Sequence, residues 1–374
     1  MLDVLQEWYR RFFPEPQVLS FALLLLAGFV LVIYFGQVLA PLLAALVIAY
    51  ILDGAVVWLT RLHLPRLLAS ILVFCVWLAM MLLALFSLGP LLSQQVTQFF
   101  GELPRMLAQG QAALLHLPEQ YPNLISAQLV NNILAAIQAE LTAFGQQVLR
   151  FSLASVTGLI TLMVYFVLVP LMVFFFLKDK EGIIAWLSGF LPAERQLASD
   201  VWREVNVKIA SYIRGKFWEI LIVWVVTYIT FKLLGLNYAM LLSFLVGISV
   251  IVPYVGAAVV TVPVAFIAYF QWGPGSEFVY VLVAYGIIQF LDGNLLVPLL
   301  FSEVVNLHPV AIIMAVLIFG GLWGLWGVFF AIPLATLVNA IIKSWPTADH
   351  RVRVIEEAIH ATDTGSCQQT QGDA

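Results

Sequence analysis

The chain has 374 residues, 63% hydrophobic and 10% charged, with a formal net charge of -4 and a mean hydropathy of +1.01. Soluble domains are about 25% charged, so an ordinary globular domain is excluded and an all-α polytopic membrane protein is indicated. Two cysteines, Cys75 in an apolar run and Cys367 in a polar tail, exclude a disulfide framework and a cysteine metal site.

The first 17 residues carry Arg10 and Arg11 beside Trp8 and Tyr9, the composition of a juxtamembrane anchor and not of a cleaved signal. A bilayer core needs about 20 apolar residues per helix. Val18 to Leu52 is long enough for a tight hairpin of two helices, with its break expected at Phe35–Gly36–Gln37. Leu67 to Leu92 is the third run, so residues 18–92 hold the first three spans. A wetter segment, 93–150, follows, and Phe151 to Leu177 is the fourth run. Residues 178–216 are charged, and Phe217 to Leu234 is the fifth run.

Two later segments are punctuated. Ala239 to Phe270 contains Pro253, Gly256 and Pro263, and Val310 to Ile342 contains Gly320, Gly321, Gly324, Gly327 and Pro333. Each reads as one kinked span, two short spans or a re-entrant hairpin. Val279 to Leu300 lies between them. The expectation is about eight membrane segments, with 217–342 as the transport core and 343–374 as a polar tail.

Lys and Arg set orientation. Lys178, Lys180, Arg195, Arg203, Lys208, Arg214 and Lys216 fall in 178–216, whereas 93–150 carries only Arg105 and Arg150. With a hairpin in 18–52, the richer segments share one side. Both termini are then expected in the cytoplasm and 93–150 outside. Both loops show one apolar helical face. In 178–216 it is Leu197, Val201, Val205, Ile209 and Ile213; in 93–150 it is Ile125, Leu129, Ile133, Ile137 and Leu141. Packing on the bundle is the plain reading; interfacial lids are the sharper one. Pro118 and Pro122 are expected to divide the outer segment into two helices.

Several series of residues resemble the AI-2E (autoinducer-2 exporter) family of PerM-like permeases. They are Phe176-Leu-Lys-Asp179, Ser211-Tyr-Ile-Arg-Gly-Lys216, Leu234-Gly-Leu-Asn-Tyr-Ala239 and Ile251-Val-Pro-Tyr254-Val-Gly256. Gln289-Phe-Leu-Asp-Gly-Asn294, Pro298, Leu307-His-Pro309, the glycine cluster and Ala331-Ile-Pro333 continue the series. The resemblance implies a bacterial inner-membrane transporter and a homo-oligomer. It links some members to export of autoinducer-2 and others to sodium(lithium)/proton antiport. The chain departs from the pattern at Lys216, where many relatives carry Gln, at Asp292 in place of Glu, and at Gly293 in place of Asn.

Asp292 is the sharpest site candidate, because a carboxylate at a helix centre costs about 2.5–3.5 kcal/mol on insertion scales. Gln289 shares its helical face and Asn294 is near in sequence. The functional reading is a proton or cation relay or a substrate-binding group; the plain one is an interhelical bond. His308, before Pro309, reads first as a helix cap and second as a titrating group. Glu219 and Lys232 are explained by snorkelling. Pro253, Tyr254 and Gly256 form one break, and Gly320 and Gly324 belong to the other. Such breaks free carbonyls that bind ions, although Gly320 and Gly324 also fit a packing motif.

No nucleotide, metalloprotease or hydrolase motif is present, so neither an enzyme nor a cofactor or metal is expected, and no basic stripe indicates nucleic acid. The expected partners are the lipid bilayer and a small polar solute, or a monovalent cation and protons. Three functions are carried forward: a proton-coupled exporter, a cation/proton antiporter with Asp292 as carrier, and a membrane scaffold.

Overall fold

The computed structural model describes residues 16–120, 128, 132, 135, 155–189, 196–253, 255–301 and 308–344. Among them every regular element is helical, as lipid demands of a chain that must bond its own backbone. In order these are α1 (Pro16–Arg61), α2 (Arg66–Gln120), α3 (Ser155–Lys178), α4 (Lys180–Ser188), α5 (Gln196–Leu233), α6 (Ala239–Ser249) and α7 (Val255–Trp272). Then come α8 (Ser276–Leu291), a π turn (Asp292–Leu296), α9 (Val297–Phe301), α10 (Pro309–Trp323) and α11 (Leu325–Ser344). Four described stretches are long and apolar enough to cross a bilayer: Val38–Arg61, Arg66–Gly110, Val255–Trp272 and Ser276–Phe301. The all-α polytopic expectation holds.

The expected break at Phe35–Gly36–Gln37 is absent, and α1 runs on for 46 residues. A lone glycine costs a helix only about 1 kcal/mol, and Gly36 has another use. A Cβ there would lie 3.3 Å from the Trp323 ring, so the missing side chain admits the indole. The expectation of cytoplasmic termini was counted with that hairpin and loses that support. The Lys/Arg contrast between 178–216 and 93–150 does not depend on it.

The chain divides into two compact units. One comprises residues 1–40, 179–212 and 303–374; the other comprises 41–178 and 213–302. The first contains α10 and α11, which form a hairpin of 15 and 20 residues. At about 1.5 Å per residue, α10 is only about 22 Å long, short of a bilayer core. The turn is Gly324, at φ 59 and ψ -133, whose N–H donates to Gly320 O at 2.8 Å. Only glycine holds that conformation without strain. Val205 and Ile209 of the 178–216 stripe pack on Leu337, Ala340 and Ile341 in this unit, which is the plain reading of that stripe. The side chains of Leu197 and Val201 lie outside the described residues.

The second unit has its core where α5, α6, α7 and α8 meet, through Val223, Phe231, Leu242, Val246, Val260, Val264, Ile267, Val281 and Tyr285. The Tyr285 hydroxyl donates to Ala257 O at 2.8 Å and ties α8 to α7. Gly247 lets α6 press on α5: an added Cβ would lie 2.7 Å from Trp224 Cβ and 3.2 Å from Ile220 O.

The Ala239 to Phe270 segment is a helical hairpin. Asn237 N–H donates to Gln271 Oε1 at 2.7 Å, and Gln271 Nε2 donates to Gly235 O at 2.8 Å, so its two ends meet. At its tip, Ile251 and Val252 N–H groups bond back to Ile248 and Ser249 carbonyls, and Pro253 follows in a turn. Gly256 lies against the Ser249 carbonyl where no Cβ fits. Gly327 repeats this device against the Phe319 carbonyl in the other hairpin.

The 93–150 segment begins inside α2, which ends at Gln120, between Pro118 and Pro122. Its first half packs on the α6–α7 hairpin. Gln95 Oε1 accepts from Leu241 N–H at 2.9 Å, Met106 joins the core, and the Phe270 ring lies 3.1 Å from where a Gly110 Cβ would stand. In the turn before α6, burial first and a hydrogen bond to Glu102 second push the Tyr238 phenol up to about 12. The stripe from Ile125 to Leu141 lies outside the described residues.

Candidate functional site

The charged site forms where α5, the α6–α7 tip and the end of α8 converge. The hydropathy boundary between residues 216 and 217 is not a structural one, because α5 is continuous from Gln196 to Leu233. Its buried stripe runs Tyr212, Lys216, Glu219, Val223, Thr227 and Phe231, at steps of three and four. Lys216 therefore does not belong to a solvated loop, and Glu219 does not snorkel. Their side chains are 5% and 2% exposed, and Lys216 Nζ lies 2.6 Å from Glu219 Oε2. The spacing i, i+3 puts the two on one face, and pairing offsets part of the desolvation penalty that either charge alone would carry.

Two further groups hold the ammonium. Lys216 Nζ donates to Val250 O at 2.8 Å. Val250 caps the C-terminus of α6, so this carbonyl stands at the negative end of a helix. The Phe301 ring faces the ammonium at 5.4 Å from its centroid. Gly215 makes the approach possible, since a Cβ there would lie 2.8 Å from the ring and 3.2 Å from Leu300 O.

Asp292 is brought into this cluster, within charge–charge range of both Lys216 and Glu219. Its Oδ1 is buried and has no hydrogen-bond partner among the described residues, and the same is true of Gln289 Nε2 one turn earlier. Asp292 opens the π turn, in which the Val297 N–H reaches back five residues to Asp292 O. π turns inside α-helices are frequent at functional sites. Asn294 is exposed and its Nδ2 donates to Phe290 O at 2.9 Å, so it satisfies backbone within the wide turn. Pro253 and Gly256 shape the tip beside Val250; Tyr254 lies outside the described residues.

The other candidates belong to the other compact unit. His308 caps α10: its Nδ1 accepts from Val310 N–H at 3.3 Å, with Pro309 in the first turn. Gly320 and Gly324 form the α10–α11 turn, and an added Cβ at Gly320 would lie 2.8 Å from Val328. Trp323 stacks on Phe319 at 5.9 Å between ring centres.

Sequence reading missed Lys216, Glu219, Val250 and Phe301. A Lys-x-x-Glu spacing at the mouth of an apolar run was the available signal for the first two. The carbonyl and the ring carry none, because their residue types are ordinary apolar ones.

Helical hairpins with broken tips, one of them closed on a buried ion pair, define a polytopic membrane protein of the transporter kind. The AI-2E family transporter profile matches residues 19–347. The chain is 47% identical over 346 residues to the Putative permease PerM of Escherichia coli (strain K12), covering 92% of this chain and 98% of that protein. It is 28% identical over 316 residues to the Putative transport protein YueF of Bacillus subtilis (strain 168), covering 83% and 84%. Identity to the Putative transport protein YhhT of Escherichia coli (strain K12) is 24% over 341 residues, covering 89% and 92%. The chain belongs to the AI-2E transporter family, and it is a multi-pass membrane transport protein.

Proposed function

We propose that the protein is a secondary transporter of the bacterial inner membrane that exports a small polar solute, of the autoinducer-2 kind, coupled to protons. The reading is of a transporter and not of an enzyme, working as a homo-oligomer with its basic 178–216 segment in the cytoplasm. The supporting observation is the buried Lys216–Glu219 pair at the α6–α7 tip with Asp292 in charge range. Ionisable groups are expensive at membrane depth and mark pathways and relays. A cluster of two carboxyl groups around one ammonium changes net charge with a single proton, which is what coupling requires.

Asp292 Oδ1, unpartnered among the described residues, favours a second reading, sodium(lithium)/proton antiport with Asp292 as carrier. Proteoliposomes separate the two: counterflow of labelled solute supports the first, and cation-driven proton movement supports the second. No gradient-dependent flux of either kind would favour the scaffold reading. Asp292→Asn is expected to abolish pH-gradient-driven flux at normal expression. Unchanged pH-dependent flux in that variant removes Asp292 as the proton carrier.

A further inference from the structure

The groups around Lys216 Nζ are those that bind small cations. They are a carboxylate oxygen at 2.6 Å, a helix-terminal carbonyl at 2.8 Å and an aromatic face at 5.4 Å. Here the cation arrives on a side chain. The tether and the carboxylate stand three residues apart on α5, the carbonyl ends α6, and the ring comes from α9. Asp292 adds a second carboxyl group in charge range, with one buried oxygen unpartnered among the described residues. One ammonium thus contacts one acid and has a second in charge range.

We propose that Lys216 is a tethered stand-in for a soluble monovalent cation and thereby determines specificity. With Lys216 in place the Glu219–Val250–Phe301 cage is closed to free cations. With its ammonium removed, the cage accepts a small cation of the alkali-metal or primary-ammonium class. This role deepens the transport reading and rests on it, but binding to the solubilised protein is measured separately from flux.

The test uses the full chain in detergent as wild type, Lys216→Ala and Lys216→Gln. Unfolding midpoints are followed by tryptophan fluorescence while choline chloride is replaced by sodium, potassium or methylammonium chloride at constant ionic strength. The wild-type midpoint is expected to be indifferent to the cation. Both variants are expected to melt lower in choline, and to rise saturably with a small cation by about 3 °C at about a hundredfold excess over its dissociation constant. Methylammonium is expected to serve Lys216→Ala best, because it restores the deleted head group. Adding Glu219→Gln is expected to abolish the response. Variants that respond no more than wild type, or respond equally to choline, overturn the proposal. Variants that fold only when a small cation is supplied support it, and failure to fold in every cation overturns it. Absence of flux in the wild type would remove the transport reading and leave these binding results standing.

Discussion

Glu219→Gln isolates the energetics of the buried pair. The substitution keeps shape and removes the charge, so Lys216 loses a contact of 2.6 Å at a position 5% exposed. Breaking a buried pair from one side costs about 3–5 kcal/mol, because the remaining charge is stranded. The Val250 carbonyl and the Phe301 ring still face the ammonium, which places the expected loss near the lower end, about 3 kcal/mol. Replacing both partners, Lys216→Met with Glu219→Leu, removes the stranded charge and is expected to restore wild-type stability or exceed it by about 1–4 kcal/mol. Unfolding in mixed micelles with increasing SDS gives the free energies for Glu219→Gln and for the four corners of the cycle of wild type, Lys216→Met, Glu219→Leu and the double variant. The double variant is also expected to stay folded yet lose gradient-driven flux. A Glu219→Gln loss below about 1 kcal/mol, the range of an exposed pair, would refute the reasoning, as would a double variant no more stable than the singles.

Gly324→Ala forces a side chain into φ 59 and ψ -133 and is expected to cost about 1–3 kcal/mol. Gly321→Ala, with nothing within 4 Å of an added Cβ, is the control, and equal thermal midpoints for the two would sink the argument. Asn294→Ala removes the bond to Phe290 O and is expected to cost about 1 kcal/mol in SDS unfolding. An unchanged value would mean that water satisfies that carbonyl equally well.

What could be read in advance follows from what lipid constrains. Apolar runs and the all-helical class were legible, since a bilayer allows a spanning chain few alternatives. The breaks at Pro253–Gly256 and Gly320–Gly324 were legible too, whereas Pro263 and Pro333, which punctuate the same segments, lie inside α7 and α11 and break neither. A lone glycine has two meanings, a bend or a close contact, and at Gly36 the contact to Trp323 is the one realised. Lys216 was misplaced because a hydropathy boundary stops at the first charge, whereas α5 continues and buries it. Asp292 was found and its neighbours were not, because they come from helices brought together only by folding. The π turn left no pattern in the residues that form it.

That turn sets the rotational phase of everything after it. Each residue of an α-helix advances the chain by about 100° and 1.5 Å, and the five-residue closure from Val297 to Asp292 carries one residue more than an α-turn would. Taken out, it would swing α9 a quarter-turn about its own axis and carry Phe301 off the ammonium of Lys216. The single surplus residue beside Asp292 therefore works as an angular spacer. It lets one stretch of chain present a carboxyl group and, nine positions later, an aromatic face to the same buried charge.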